Sequence, residues 1–405
     1  MTAESRRTRE ADRGTSQTGG RLYNERLVLS LLRDHGRLAM AELARRTGLT
    51  AQTISTIVRR LEADGLISRE RPVRGRVGQP SVPLVLRPDG AFSLGLHFGR
   101  RSGALFLLDL TGAVRAERHT RFAYPTPARL LRFTRQALRS ILAGLSADQA
   151  ARIAGLGLAI PFQLWEWEEE VGAPTGALGV WRDFDIRAAL AGLCPWPIHL
   201  CNDANAACAA ELVFGNPGGH ANFVYFFIAS LIGGGVVTEG ALQPGRTGLG
   251  GAIGTLPVPA PPGSGMAATG LIRRASLFLL EAELTATGQD PGLLWTHPGD
   301  WRGFEPALGR WIEHATDALA YAVLSALAIF EFQAVVVDGA FPATVRARVV
   351  ERLRMKIAER DLRGLPQAVI VEGSVGGQAR ALGAAALPLI AQFSRDREVL
   401  FKEPA

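Results

Sequence analysis

Apolar residues recur three and four positions apart through residues 48–65, GLTAQTISTIVRRLEADG, and set Ile54, Ile57, Val58 and Leu61 on one face of a helix. Thr50 is the expected N-cap, because its hydroxyl can accept from a free first-turn amide, and Gly65 is the expected stop. Gln52, Thr56 and Arg59 fall on the opposite face, flanked by Thr53, Ser55 and Arg60. Side chains of that length and polarity reach base edges and phosphates. A strand beginning at Leu66 follows, and Arg69, Arg71, Arg74 and Arg76 crowd the hairpin after it. Upstream, residues 23–35 carry Leu27, Leu29, Leu31 and Leu32 in a first helix, and residues 40–47 form a shorter one around Leu43. Helix, helix, Gly48-Leu49 turn, helix and basic hairpin is the order of a winged helix-turn-helix, assigned to residues 21–88. Residues 1–20 are polar and read as a disordered basic tail. Arg74-Gly75-Arg76 has the form of a minor-groove probe, and equally of a flexible linker.

After residue 90 the pattern changes. Alternating or continuous apolar runs predict strands at 92–98, 103–108 and 114–122, an amphipathic helix at 127–145, and strands at 153–160 and 198–201. A helix at 205–214 closes that set. A buried strand at 223–229 follows, then a glycine triplet and a short strand at 236–238. A long helix at 306–332, a strand at 334–337, a helix at 342–360, a strand at 368–371 and a helix at 377–393 complete the chain. Three strands followed by alternating helices and strands, occurring twice, predict two α/β lobes.

Composition sharpens this. A chain of 405 residues, 47% apolar, holds more than one domain with ample core. No run of about 18 apolar residues predicts a membrane span. The polar N-terminus lacks the apolar segment of a secretory signal, so a cytoplasmic location is expected. Cys194, Cys201 and Cys208 are odd in number and read as reduced core residues. The first 90 residues hold 17 Arg and no Lys against 10 Asp and Glu. That balance of +7 equals the net charge of the whole chain, so the excess sits entirely in the helix-turn-helix quarter. Clustered cations of this kind fit a phosphate backbone, where each contact releases counterions. They weigh against an ordinary amphipathic helix with a solvated loop.

Several motifs together resemble the ROK family of transcriptional regulators and sugar kinases, over residues 21–391. The likeness rests on RLYNERLVLSLLRDHG, GLTAQTISTIV and GQP in the first part, and on GLGLAIPF (155–162), LCNDANAACAAE (200–211), IGGGVV (232–237), GRTGLGGAIGTLPV (245–258), VVDGAF (336–341) and GSVGGQARALGAAAL (373–387) in the second. The resemblance implies a two-lobed, actin-like (ribonuclease-H-like) domain over residues 89–405 that binds effector and dimerises, its last helix returning to the first lobe. It also implies a sugar site between the lobes.

Departures from the kinase pattern are equally specific. The first phosphate loop of kinase relatives carries an Asp where this chain has His97, followed by Phe98-Gly99-Arg100-Arg101. Magnesium wants oxygen ligands. The second phosphate loop corresponds to Ala229-Ser230-Leu231. The zinc His corresponds to Thr255, and residues 261–274, PPGSGMAATGLIRR, hold no Cys or His. No metal or cofactor is therefore expected. Of the family's sugar contacts, Asn202 and Asp203 remain, while the Glu corresponds to Ala252. The expected effector set is Asn202, Asp203, Gly251, Thr255 and Trp165, the last from LWEWEEE (164–170), where Trp165 and Trp167 stack on a ligand or pack inward and Glu166 or Glu168 accepts its hydroxyls. Asn202 and Asp203 could instead cap the following helix. These readings describe a DNA-binding repressor of carbohydrate genes with a sugar-like effector, acting on a duplex operator as a homo-oligomer, dimer or tetramer. Its rivals are a sugar kinase with an appended DNA-binding domain and an effector-independent DNA-binding protein on a dimer scaffold.

Overall fold

A computed structural model describes residues 17–71, 82–170, 172–215, 218–261, 263–296 and 299–394. The head opens with α1 (Gln17–His35), β1 (Arg37–Ala39), α2 (Met40–Thr47), α3 (Ala51–Ala63), β2 (Ile67–Arg69) and β3 (Pro83–Leu86). Helix α1 begins six residues before the apolar repeat had placed it, so residues 17–20 are helical rather than tail; Gly19 is buried, and packing overrides its poor helix propensity. Residues 1–16 lie outside the described residues. β1, β3 and β2 form one antiparallel sheet in which Leu38 pairs with Leu84 and Ile67 with Leu86. Strand β3 is thus the centre of the wing sheet. Val28, Leu32, Leu43, Ile54, Val58, Leu61 and Ile67 fill the core beneath it. Gly48 and Gly65 take the left-handed φ of +70° and +73° that ends α2 and α3.

The first lobe holds β4 (Phe92–Phe98), β5 (Ser102–Asp109), β6 (Val114–Arg121), α4 (Pro127–Leu142), β7 (Ile153–Ile160) and β8 (Ile198–Asn202), followed by α5 (Asp203–Phe214). The second holds β9 (Phe223–Ile228), β10 (Gly233–Thr238), β11 (Ala241–Leu242), the small pair β12 (Pro257–Pro259) and β13 (Ala268–Gly270), α6 (Ala307–Ile329), β14 (Ala334–Gly339), α7 (Ala343–Ala358) and β15 (Val369–Glu372). Sheet orders are β6-β5-β4-β7-β8 and β11-β10-β9-β14-β15. In each, an antiparallel three-stranded meander continues into two parallel strands. The same plan is used twice. The glycine triplet belongs to β10, because Gly234 lies against Tyr225, where an added Cβ would stand 2.0 Å from the carbonyl oxygen.

Helix α6 is long and apolar enough by composition to cross a membrane, although Arg310, Glu313, His314 and Asp317 interrupt its apolar run as the sequence indicated. Trp311, Ile312, Ala315, Leu319 and Val323 bury that apolar face in the second lobe, while Glu313 pairs with Arg352 and Lys356 of α7 and Asp317 with Arg360 just beyond it. It is a core helix of that lobe.

The last helix, α8 (Ala379–Phe393), ties the parts together. It crosses the first lobe's sheet at backbone distance: a Cβ on Gly95 would stand 2.2 Å from Ala385 N, and one on Gly157 would stand 1.7 Å from Ala384 O. Gly383 meets α5 the same way, 1.7 Å from Ala206 O. Ser93 Oγ adds a buried hydrogen bond to Ala385 O at 2.5 Å. At its far end, Leu389 joins the core of the head and Phe393 packs against it.

Candidate DNA interface and interlobe cleft

Thr50 caps α3, its Oγ1 accepting from Thr53 N at 3.2 Å. The apolar face is buried as the spacing requires, which turns Gln52, Thr56, Arg59 and Arg60 to solvent and leaves Thr53 and Ser55 half-buried. Thr56 Oγ1 donates to Gln52 O at 3.1 Å and Arg59 Nε to Ser55 O at 3.4 Å, so both side chains lie along the helix. Two of the arginines are paired within the head: Arg60 with Glu25 at 3.0 Å and Arg69 with Glu62 at 2.7 Å. Arg71 is exposed. Arg74 and Arg76 lie outside the described residues, as does the GQP stretch.

At the cleft, Asn202 caps α5, its Oδ1 accepting from Ala204 N at 3.0 Å. Asp203 does not share that duty. It is 6% exposed and turns its Oδ2 to Arg380 Nη1 at 3.7 Å. Asn205 Nδ2 donates to Gly250 O at 2.9 Å and to Gly248 O at 3.4 Å, hanging the glycine loop of the second lobe on a first-lobe helix. Gly251 in that loop has φ +72° and lies on Gly235, whose Cα is 2.8 Å from where a Cβ would be. Thr255 is exposed, with Oγ1 donating to Ala252 O at 2.7 Å. Trp165 packs on the first lobe's core with the Arg182 guanidinium 5.7 Å from its ring centre, and Trp167 packs on the second lobe's core. Glu168 is committed to its own loop, accepting from Gly176 N at 2.8 Å and Leu178 N at 2.6 Å. It is not the free hydroxyl acceptor that the sequence allowed, because the turn at 174–178 needs its carboxylate.

Two cleft residues escaped the sequence reading. Arg100, in the turn after β4, and Arg380, in the first turn of α8, both act on Asp203. Burial lowers the Arg100 guanidinium to about 10, with Asp203 acting in the opposite direction. Arg380 is lowered by burial too, while its guanidinium lies 5.4 Å from the Phe227 ring centre. His97, 4% exposed, is held well below the usual imidazole range by burial and then by Arg380 and Arg100. It is neutral at pH 7. His97 Nε2, the Nε atoms of Arg100 and Arg380, and Asn205 Oδ1 are buried without a hydrogen-bond partner. The sequence signal was only an Arg-Arg pair after a strand and an Arg in GQAR; the fold alone brings them together. Around them, Arg101–Glu281 at 3.2 Å and Arg273–Glu170 at 2.8 Å join the lobes, and Arg121 donates to Trp295 O at 2.9 Å.

The residues present do not fit the metals of kinase relatives. His97 offers no carboxylate and stands beside two guanidinium groups that repel a cation. Among the described residues no three His, Cys, Asp or Glu side chains converge on a point that could hold an ion. Cys201 and Cys208 are buried thiols, and burial pushes Cys201 up to about 12.

Residues 93–271 match the ROK family, and residues 20–76 match the MarR family. The chain is 28% identical to the uncharacterized protein y4fQ of Sinorhizobium fredii, covering 91% of each. It is 25% identical to the xylose repressor of Bacillus spizizenii over 60% of this chain and 62% of that one. Among solved structures, a ROK family transcriptional regulator described as a homologue of the E. coli MLC protein superposes with a TM-score of 0.66 at 19% identity, covering 94% of this chain and 99% of that one. A ROK hexokinase from Thermus thermophilus superposes with a TM-score of 0.52 at 25% identity, over 73% of this chain and 97% of the other.

Proposed function

For a chain that carries a ROK-family domain behind a MarR-type winged helix, we propose the role of a transcriptional repressor controlled by a sugar-like effector in the interlobe cleft. The observation that carries this reading is the span of α8. Its first turn holds Arg380 against Asp203 in the cleft, and its last turns sit in the core of the head. An effector that changes the Asp203–Arg380 contact therefore acts on a rigid element embedded in the DNA-binding part. The likeness to xylose repressors supports genes of carbohydrate uptake or catabolism as the target.

Gln52, Thr53, Ser55 and Thr56 on α3 read bases, Arg59 and Arg60 take phosphates, and Arg69, Arg71, Arg74 and Arg76 of the wing follow the backbone and the minor groove. One such head reads too few base pairs for specificity, so two copies act on two half-sites in the cytoplasm. In the cleft, Asp203 takes ligand hydroxyls, Asn202 offers its amide NH2, and Gly251, Thr255 and Trp165 line the approach. The protein is not a kinase on this reading. A neutral imidazole at His97 and the apolar Ala229 and Leu231 supply no electrostatic support for phosphoryl transfer.

Footprinting on genomic fragments tests this. A protected pair of half-sites that disappears with Gln52→Ala and Arg59→Ala is expected. Uniform coating of every duplex, or ATP consumption stimulated by a sugar, contradicts it.

A further inference from the structure

We propose that the effector is an anion, a sugar phosphate or sugar acid whose charged group lies between Arg100 and Arg380 while its hydroxyls meet Asp203. This deepens the sensor reading and rests on it. Two enclosed guanidinium groups, those of Arg100 and Arg380, stand with two buried carboxylates, Asp203 and Glu170, while the Arg273 side chain reaches Glu170 from solvent. Glu170 is engaged by Arg273 at 2.8 Å. Asp203 is the carboxylate that acts most strongly on both Arg100 and Arg380, with Glu170 a lesser influence on Arg100.

The unpartnered nitrogens at this point carry the proposal. The Nε atoms of both arginines are enclosed and donate to nothing among the described residues. His97 Nε2 beside them is likewise unpartnered, on a ring that is neutral at pH 7. Buried donors without acceptors are costly. A neutral sugar offers weak hydroxyl acceptors to such donors. A carboxylate or phosphate offers several ionised oxygens to two guanidinium forks, the stronger and more directional arrangement. The scaffold holds the two arginines where they are. Arg380 is fixed by the backbone-to-backbone packing of α8 on Gly95 and Gly157, and by the Phe227 ring. Arg100 follows directly on Gly99, where a Cβ would stand 2.8 Å from His97 Nε2.

Thermal denaturation of the full chain tests this with D-xylose, D-xylonate, D-glucose, D-gluconate and D-glucose 6-phosphate at matched ionic strength. The sugar acids and the sugar phosphate report separately on the two sources of negative charge. The expected result is that at least one anion raises Tm above its neutral parent, and that Arg100→Gln or Arg380→Gln weakens its binding by about tenfold or more. Arg100→Lys, which keeps charge but loses the fork, should retain part of the preference and guards against a folding defect. Neutral sugars that bind as tightly as their anions, and equally in Arg100→Gln, overturn the anionic site and leave the sensor reading standing. No shift from any probe, together with operator binding that none of them alters, removes both.

Discussion

Asp203 Oδ2 stands 3.7 Å from Arg380 Nη1, and this contact joins the first turn of α5 to the first turn of α8. Both side chains are largely buried, and Arg100 acts on the same carboxylate. Removing Asp203 takes away the carboxylate that acts most strongly on both enclosed guanidinium groups. Asp203→Ala is therefore expected to cost up to about 3 kcal/mol of stability as well as the effector response, a loss typical of breaking a buried pair. From sequence alone the same change leaves folding nearly intact if Asp203 anchors a ligand, and costs about 1 kcal/mol if it caps the helix. Urea denaturation decides: a loss below about 0.5 kcal/mol, within the range of ordinary surface changes, contradicts the buried ion pair.

Gly383 faces Ala206 O so closely that a methyl group would stand 1.7 Å away. Gly383→Ala must push α8 off α5 and is expected to cost about 1–3 kcal/mol or more. Gly179→Ala, in open space, is the control and should stay within about 0.5 kcal/mol. Equal midpoints for the two variants would mean that α8 is loosely seated.

Glu281 accepts from Trp295 Nε1 at 2.6 Å and pairs with Arg101 across the lobes. Burial nevertheless raises its carboxyl above the ordinary 4.5. A raised folded pKa means that its contribution is fully present below the unfolded value and is lost as pH rises through the folded one. Glu281→Gln keeps an acceptor for Trp295. It should match the parent below pH 4.5 and be the more stable protein at pH 7. Denaturation midpoints across that range check the sign, and a variant weaker at pH 7 contradicts it.

Arg59 is free of carboxylate partners among the described residues, whereas Arg60 is held by Glu25. Arg59→Ala is expected to weaken binding to all duplexes and reduce the salt slope by about one. Glu25→Gln releases Arg60 and should strengthen non-specific binding a few-fold, since an exposed pair of this kind is worth only about 0–1 kcal/mol. Anisotropy titrations at several salt concentrations measure both.

The periodicity of Ile54, Ile57, Val58 and Leu61 made α3 legible because a single buried face sets its register. β7 was legible because both faces are covered and every position is apolar, and β4 because Phe92, Leu94, Leu96 and Phe98 alternate with Ser93, Gly95 and His97. β1 was not, since three residues carry no period. The first turn of α1 was not, because tertiary packing forms it against propensity. In the cleft, Asp203 stood out within its NDANAA motif. Arg100 and Arg380 did not, because nothing local links a turn after the head to the start of the last helix. The role of Glu168 was equally hidden: a carboxylate that ties its own loop looks in sequence like one that waits for a ligand.

On this reading cleft and head are coupled through α8. The most direct test is the affinity of the full chain for its own footprinted operator, measured by fluorescence anisotropy with and without the sugar or sugar anion that raises its Tm. Coupling through α8 gives a change of about fivefold or more, the usual lower range of allosteric coupling, that is abolished by Asp203→Asn while operator binding without ligand persists. Operator affinity that stays the same at saturating ligand contradicts it.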